Sequence, residues 1–539
     1  EMTPTEQAPA EQEPIVLDRA TMLKELLDWG SHFVDSSAAW RRTSFEDEWR
    51  VWQRNADSGY DPAIRAKKES WQSMAVWPIT ASHRENAQAA LFKTELSANP
   101  PLEYKSRKGA TPIQMPGMQP PVDQGQLIGD LVLWEREKAN YPIERNKVLE
   151  DKTTYGSGFA RIRFETTTAP RKVKVPIYEQ VSLMDPTSIM RAMSGQQQIV
   201  GYEDQIQETV TYRGVRIEQL SIWDIFPDPK ALQVKGHPIA YRYDTTLGEI
   251  ITGVGLGYYL EECVQSLKSR PSDETAPTDK QAVDTDRQIS DSVVTRPEYG
   301  KVVECYEIQA RLPQKWVYIN QEPMTDPESL VPAVVRFKKG LCVISVALSE
   351  TYDGEPDIYK DDYFPVAGRF YARGIPEMAK DAQLVASETV NQRLDVGSIG
   401  LRQKFAVMEK YLVDPKDIEE NRIAIRLRAP SGSNIDDVGK MFQRIDMGAP
   451  DRTAFIEPQE WERVLQERTS ITQTTLGTED NANTTLGAQQ IQQGVTGGKM
   501  AYLGMLSEYD FQAKVSHGIW ALIYQNYNQE DYAMALGPE

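Results

Sequence analysis

The chain has 539 residues and carries 60 lysines and arginines against 79 aspartates and glutamates, a net charge of −19. At roughly 150 residues per domain this length predicts three to four domains, and the acidic surface argues against tight binding of duplex DNA by phosphate neutralisation. The longest apolar run, 341–348, is far shorter than the roughly 20 residues of a membrane span, so we expect no membrane segment.

The N-terminal part of the chain divides into a polar lead-in and a helical region. Residues 1–14 are acidic and proline-rich and are predicted to be disordered. From 15 to 99 the pattern is helical and rich in tryptophan. The tryptophans are consistent with a packed helical core or with a contact between subunits, where aromatic rings are enriched. They are Trp29, Trp40, Trp49, Trp52, Trp71 and Trp77.

A loop, a helix and a β-rich region follow. Residues 105–124 are rich in proline and glycine and predict a surface loop. The apolar periodicity of 125–151 predicts one helix, which Gly156 ends. Residues 159–165 then read as a strand, and the alternating pattern up to about 243 predicts further strands.

The next region combines a helix, a polar loop and a small β unit. Thr246 and Glu249 have the spacing of a capping box, which predicts a helix reaching about Lys268. Its glycines are costly inside a helix, and either close packing or a broken start would explain them. Residues 270–297 predict an exposed loop, and 299–370 predict strands. The glycines are Gly248, Gly253, Gly255 and Gly257.

The strongest single prediction is a long helix. Starting at Pro376, a residue suited to the first helical turn, it would run about 36 residues to Leu412 and span about 54 Å. The segment from Gly397 to Gly400 contains a glycine–serine pair, which predicts a kink. Its apolar positions drift around the axis, so we expect partners along its length. Further helices are predicted over 458–469 and 499–528.

No catalytic constellation is present in the sequence. Residues 494–499 resemble a phosphate-binding loop but lack its glycine at 493 and its hydroxyl residue at 500. The four histidines have no zinc-ligand spacing. The three cysteines lie far apart and predict isolated reduced thiols rather than a disulfide framework. We therefore expect no catalytic residue, no metal and no cofactor. The cysteines are Cys263, Cys305 and Cys342.

An acidic cluster leaves two interpretations open. Asp357, Asp361 and Asp362 lie close together in the sequence. Such a cluster is consistent with a solvated loop and, less often, with a cation site, since carboxylate oxygens are ligands of hard cations. The solvated loop is the interpretation we favour.

Several strings, taken in order, resemble the portal proteins of tailed bacteriophages, particularly of the short-tailed podovirus type. The resemblance covers about 45–535 and combines an aromatic helix, a tryptophan-proline turn, a helix-to-strand passage, a strand-turn and a long helix. The strings occupy 45–61, 70–101, 150–165, 220–231 and 368–395.

This resemblance implies an α+β fold with a helical and β-rich wing, two stem helices flanking a β-containing clip, and a helical crown. A disordered lead-in (1–14) would precede the wing (15–244), the first stem helix (245–270) and the clip (271–372). The second stem helix with a kinked continuation (373–412), the wing return with a channel loop (413–480) and the crown (481–539) would follow.

The resemblance also implies a function. About twelve copies would form a ring at the capsid vertex of the virion, since heterologous contacts can close by rotation. Assembled in the host cytoplasm, this ring would pass double-stranded DNA during packaging and ejection. Its partners would be major capsid or scaffold proteins, the terminase motor and tail adaptor proteins, with no membrane and no enzymatic activity.

A few basic residues would guide DNA through an otherwise repulsive acidic channel. Lys440 and Arg444 come first, because they flank the polar loop at which a constriction is expected. Ordinary surface charge is the alternative reading for the whole set. The remaining members are Arg402, Lys404, Arg426 and Arg428.

Two other functions stay open at this point. One is a packaging-associated nuclease whose carboxylates, Asp228 or Asp361 among them, would bind Mg²⁺. The other is another head–tail connector ring, although such proteins are usually smaller than this chain.

Overall fold

The structure is a computed structural model that describes most, but not all, of the chain. It describes residues 19–96, 104–105, 123–178, 199–269, 298–317, 326–401, 404–407, 442–445, 453–469, 498 and 501–536. The predicted lead-in (1–14), the loop 270–297 and almost all of the loop 105–124 lie outside these residues.

The N-terminal helices pack around tryptophan rings. Trp49 and Trp52 are fully buried, and Trp49 packs edge-on against Trp223 and Tyr371. The core interpretation is therefore confirmed for these two rings, whereas Trp71 remains about half exposed. The elements are α1 (Arg19–Arg41), a π-helical turn (Arg42–Glu46), α2 (Asp47–Ala56), α3 (Pro62–Arg65) and α4 (Ile79–Leu96).

The helix predicted over 125–151 is two helices, α5 (Gln124–Lys138) and α6 (Tyr141–Tyr155). The break lies at Asn140, which adopts a left-handed conformation, and Pro142 then occupies the first turn of α6. Proline lacks the amide proton that an uninterrupted helix would need there, so it favours a new start. Gly156 ends α6 as predicted, with a φ of +94°, and a Cβ there would lie 2.1 Å from the carbonyl oxygen of Ala372.

Two long antiparallel strands follow, β1 (Ser157–Tyr178) and β2 (Ile199–Leu220). Their register runs from Phe159 opposite Leu220 to Tyr178 opposite Ile199, with an irregularity between Thr167 and Thr168. The strand predicted over 159–165 thus continues well beyond its expected end.

The helix predicted from Thr246 to Lys268 is broken in the middle. Thr246 and Glu249 form the predicted capping box, and α7 (Leu247–Gly255) and α8 (Glu262–Lys268) are separate helices. Between them Gly257 has a φ of +78°, while the ring of Tyr259 lies against Gly253 where a Cβ would stand. Gly257 therefore permits the break between the two helices, and Gly253 leaves room for the ring of Tyr259.

A five-stranded antiparallel sheet crosses the expected boundary between wing and clip. Its order is β3-β4-β5-β6-β7, so strands before residue 247 pair directly with strands after residue 301. A short helix, α9, follows β5. The elements are β3 (Ile225–Pro227), β4 (Ile239–Thr246), β5 (Val302–Pro313), α9 (Gln314–Val317), β6 (Leu330–Lys338) and β7 (Cys342–Leu348).

The next strand, β8 (Ile358–Asp362), returns to the first sheet and pairs with the start of β1, with Ser157 opposite Asp362. This sheet has the order β2-β1-β8. The protein is therefore mixed α+β, as predicted, and each sheet combines strands that are distant in the chain.

The long helix α10 (Ile375–Leu401) begins one residue before Pro376 but ends earlier than expected. Its 27 residues span about 40 Å. The predicted continuation to Leu412 is wrong, because β9 (Lys404–Val407) pairs with β10 (Phe442–Ile445). The helix predicted from 458 is α11, which starts earlier (Thr453–Thr469).

The C-terminal helical segment begins at 501 and contains a π-helical stretch (Glu508–Gln512) before α12 (Ala513–Asn526). It agrees with the helix predicted over 499–528, and α13 (Gln529–Leu536) follows. Its apolar side chains share one core with α5, α6, the first half of β1 and the second half of β2. Members of that core include Leu131, Val148, Ile162, Val215, Phe511, Val515 and Ile519.

Candidate functional site

Of the six basic residues predicted to face DNA, two lie in the described part of the chain. Lys404 is in β9 opposite Ile445, and Arg444 is in β10 opposite Phe405. Strand pairing therefore brings them to neighbouring register positions, although 40 residues separate them. Arg402, Arg426, Arg428 and Lys440 lie outside the described residues.

The long helix α10 is covered along only part of its surface. On one side Ala379 and Ala386 are buried and share a cluster with Leu465 of α11. Four larger apolar side chains of the same helix remain 37 to 48% exposed. These side chains are distributed around the helix rather than along one face, and they are shielded from water only when other surfaces cover them. The four are Leu384, Val385, Leu394 and Val396.

Another stripe of α10 holds an extended segment of the chain, 73–78, and the first turn of α4 by their main-chain groups. Ser73 N–H donates to Asp395 Oδ1 (2.6 Å), and Trp77 N–H donates to Ser387 Oγ (3.2 Å). Four helical residues rise about 6.0 Å and two extended residues about 6.6 Å, so the two repeats match. We call this row the polar stripe: Gln383, Ser387, Asn391 and Asp395.

The polar stripe was not predicted from the sequence. Its signal was present, since four polar residues recur at every fourth position of a predicted helix. Nothing near them in the chain indicated what they would bind, because their partner lies about 310 residues earlier. The stripe positions the long helix against the N-terminal region.

A buried ionic cluster joins α4, α6, β8 and the C-terminal segment. The Arg145 guanidinium donates two hydrogen bonds to Glu95 (both 2.7 Å) and one to Asp361 (2.6 Å), and Lys152 contacts Asp361 at 2.9 Å. Burial raises the pKa of Glu95, but the charges of Arg145 and Lys152 outweigh it and lower that pKa to about 2. Ser507 adds a hydroxyl between Arg145 and Glu95.

A second buried cluster connects the two sheets. Arg161 donates to Asp357 (2.8 Å) and to Glu307 (2.6 Å), and Arg336 donates to Glu307 (2.7 Å). Burial raises the pKa of Asp357 in spite of Arg161. Burial would raise the pKa of Glu307 as well, but Arg161 and Arg336 lower it to about 2.

The favoured interpretation of Asp357, Asp361 and Asp362 as a solvated loop is therefore wrong. Asp357 and Asp361 are buried and paired with cations from other elements, and Asp362 accepts from Ser157 (2.6 Å) and pairs with Lys360 (2.9 Å). Buried carboxylates are stable when cations and hydrogen bonds compensate them. Their cationic partners make them structural, which also disfavours a cation site.

The carboxylates named for the nuclease alternative have other partners. Asp228 caps a turn by accepting from the Lys230 N–H (2.9 Å), and Asp361 lies in the Arg145 cluster. Across the described residues, no group of three or more histidines, cysteines and acids is arranged to hold a metal ion.

The three cysteines are closer together than their spacing indicates. All belong to one apolar cluster beneath α7 and α8, and all three are free thiols. Burial raises the pKa of Cys263 to about 11 and that of Cys342 to about 12. These two groups are therefore protonated at neutral pH, so they are poor nucleophiles.

A cleft of about 630 Å³ opens between the C-terminal helical segment and the loops around 232–235 and 353–356. Lys360 pairs with Asp362, Lys514 with Asp510, and Lys235 approaches Asp353 at 3.7 Å. Since these cations have carboxylate neighbours, their charge is largely compensated within the cleft.

The outer halves of β1 and β2 form a two-stranded ribbon, which we call the arm (168–178 and 199–210). It begins at the register irregularity after Thr167 and, at about 3.3 Å per residue, extends about 36 Å. No arm residue whose side chain is described is buried. The strand prediction did not anticipate the arm, because polar residues interrupt the alternation at its base.

No protein-family model matches the chain, and no curated protein matches it. Within the described ranges, no helix combines the length and the apolar character that crossing a bilayer requires.

Proposed function

We propose that the chain is a portal protein of a tailed bacteriophage, of the short-tailed type. Copies form a ring, about twelve by the resemblance, at the capsid vertex of the virion after assembly in the host cytoplasm. Double-stranded DNA passes through the ring during packaging and ejection. The protein acts without enzymatic activity, as a channel and a docking platform for capsid or scaffold proteins, the terminase motor and tail adaptors.

The observation that carries the proposal is the set of exposed apolar side chains on α10. Leu384 and Leu394 are 48% and 43% exposed on a helix about 40 Å long. A single copy leaves these side chains in water, whereas the neighbouring copies that rotation places on either side would cover them. Contacts of this kind are heterologous, so they repeat around an axis until the ring closes.

The contacts between resembling strings support the proposal. The string 70–101 contains the extended segment, and the string 368–395 contains most of α10. The polar stripe joins these two strings directly. Two separate strings, each of which resembles the same family, are therefore in direct contact in the structure.

The charge is consistent with a channel that DNA slides through. Each copy carries a net charge of −19, so a ring of copies surrounds DNA with an acidic wall. Repulsion between this wall and the phosphates prevents adhesion, since tight binding to duplex DNA requires cationic neutralisation. A few basic positions such as Lys404 and Arg444 then guide the backbone.

The division into wing, stem, clip and crown is part of the proposal, with one modification. The strands expected to form the clip share a sheet with β3 and β4 of the expected wing. We therefore assign β5, β6 and β7 to the wing rather than to a separate clip domain.

The test is the oligomeric state of the purified chain. Negative-stain electron microscopy and native mass spectrometry should show rings of about twelve 61.0 kDa subunits. A monodisperse monomer at micromolar concentration would overturn the proposal. Replacing Leu384 and Leu394 together by glutamate should reduce ring formation at least tenfold without unfolding the chain. The control is Gln392→Glu, which changes an exposed polar position of the same helix.

A further inference from the structure

The arm carries a separation of charge across its width. All of its cationic side chains are on β1, and all of its anionic side chains are on β2. The two groups are equal in number, so the arm has one basic strand and one acidic strand. The cations are Arg171, Lys172 and Lys174, and the anions are Glu203, Asp204 and Glu208.

The acidic strand also exposes apolar side chains. Tyr202, Ile206 and Val210 are 63%, 72% and 58% exposed. Their spacing by four places them on one face of β2, together with Asp204 and Glu208. A two-stranded ribbon gains little stability by itself in water, so a surface that covered these apolar side chains would stabilise the arm.

The basic strand limits how that surface can attach. Pro170 and Pro176 lie in β1, and neither has an amide proton to donate to an added strand. Addition of another strand along this edge is thereby interrupted. A partner must therefore contact the arm largely through side chains. This favours a partner surface that has complementary charge and also covers the exposed apolar side chains.

We infer that the arm lies beside the arm of a second copy of this chain, with the basic strand of one against the acidic strand of the next. This inference rests on the ring proposed above. Rotation places every arm in the same orientation, so each basic strand meets a neighbouring acidic strand. Across this contact, the alkyl stems of Lys172 and Lys174 of one copy cover Ile206 of the next copy, and their ammonium groups approach its Asp204 and Glu208. Within one arm the register already sets Lys172 opposite Ile206 and Lys174 opposite Asp204, so the contact between copies repeats the pairing inside the arm.

Two complementary variants test this inference. One chain has an acidic arm, in which the three cations become glutamate: Arg171→Glu, Lys172→Glu and Lys174→Glu. The other has a basic arm, in which the three anions become lysine: Glu203→Lys, Asp204→Lys and Glu208→Lys. In a ring made of either variant alone, like charges would face each other at every contact between arms. Ring formation at low salt should therefore fall at least tenfold.

Co-expression of the two variants is the decisive measurement. Alternating copies restore opposite charges at every contact, whereas repulsion inside each arm is unchanged. Native mass spectrometry should therefore recover rings that contain the two chains in equal number. Failure of the mixture to recover would show that the charges act inside an arm or on another partner, such as DNA, and would overturn the inference.

Matched controls separate this effect from net charge. Each control reverses three exposed charges of the body and should leave ring formation within twofold of the unmodified chain. Rings of normal yield from either arm variant alone would overturn the inference and leave the proposed function intact. An unmodified chain that forms no ring would overturn both. The controls reverse Lys24, Arg65 and Lys67, or Glu25, Glu69 and Glu137.

Discussion

Asn391 of α10 and Ala75 of the extended segment are joined by two hydrogen bonds. The Asn391 Nδ2 donates to the Ala75 carbonyl oxygen at 3.0 Å, and the Ala75 N–H donates to Asn391 Oδ1 at 2.8 Å. One side chain thus replaces the strand that an extended segment would normally pair with. Asn391 is fully buried, which makes this pair the centre of the polar stripe.

Replacing Asn391 by alanine should lower the free energy of unfolding by about 2 kcal/mol, because both main-chain groups of Ala75 lose their partner. Urea denaturation followed by circular dichroism measures the change. The control is Gln392→Ala, one position along on the exposed surface, which should change stability by less than about 0.5 kcal/mol. Equal stability of the two variants would contradict a structural role for the stripe.

Replacing Arg145 by methionine should destabilise the protein by about 3–5 kcal/mol, because Glu95 and Asp361 would stay buried without their shared cation. The same denaturation experiment measures it. On the same helix, Lys147→Met removes a half-exposed ion pair with Glu144 and should cost less than about 1 kcal/mol. Similar losses of unfolding free energy in the two variants would show that the buried cluster stabilises the fold no more than an exposed ion pair does.

Stability should decrease between pH 7 and pH 5 because of His83. This side chain is buried beside Thr469 of α11, with 3.2 Å between Nδ1 and Oγ1, and burial lowers its pKa from 6.5 to about 4. The neutral form is favoured in the folded state, so the stabilisation is present above pH 6.5 and is lost as pH falls toward 4. The expected decrease over this window is about 2 kcal/mol.

Unfolding free energies at pH 7 and pH 5 test the assignment to His83. The lowered pKa values of Glu95 and Glu307, both about 2, cost stability only as pH falls below about 4.5, so they do not contribute in this window. His83→Gln should flatten the profile, whereas His32→Gln, at an exposed position, should not. A slope that survives His83→Gln would refute the assignment.

Reversing the charge of two candidate channel residues should impair DNA packaging while preserving the ring. Lys440→Glu with Arg444→Glu places acidic groups where the phosphate backbone is expected to be guided, and repulsion should reduce packaged DNA at least tenfold. A DNA-protection assay measures packaging, and electron microscopy confirms the ring. Normal packaging by intact rings would show that these residues do not contact DNA.

Local signals predicted the starts of α7 and α10, whereas a contact with a distant strand decided where α10 ends. Pro376 indicated the start of α10 to within one residue, because proline favours the first turn. The end was missed because β9 pairs with a strand about forty residues later. Pattern reasoning detects the 3.6-residue period but not a partner strand that is remote in the chain.

The same distinction applies to the candidate site. Asp361 lies in a charged stretch that is typical of a loop, and its cations, Arg145 and Lys152, come from a helix more than 200 residues earlier. Lys404 was named for its charge and Arg444 for its charge and its position beside the polar loop, whereas their neighbouring register positions follow from strand pairing. Composition identifies which groups are present, whereas topology decides which of them meet.

The pairing of β4 with β5 limits how this chain can be divided. A fragment that ended before residue 298 would leave the edge of β4 without its partner, and a fragment of 271–372 alone would leave the edge of β5 bare. Unpaired edges of this kind recruit other strands and promote aggregation. Recombination between related genes at these positions should therefore yield insoluble products, so sequence exchange would be confined to breakpoints that keep both strands together.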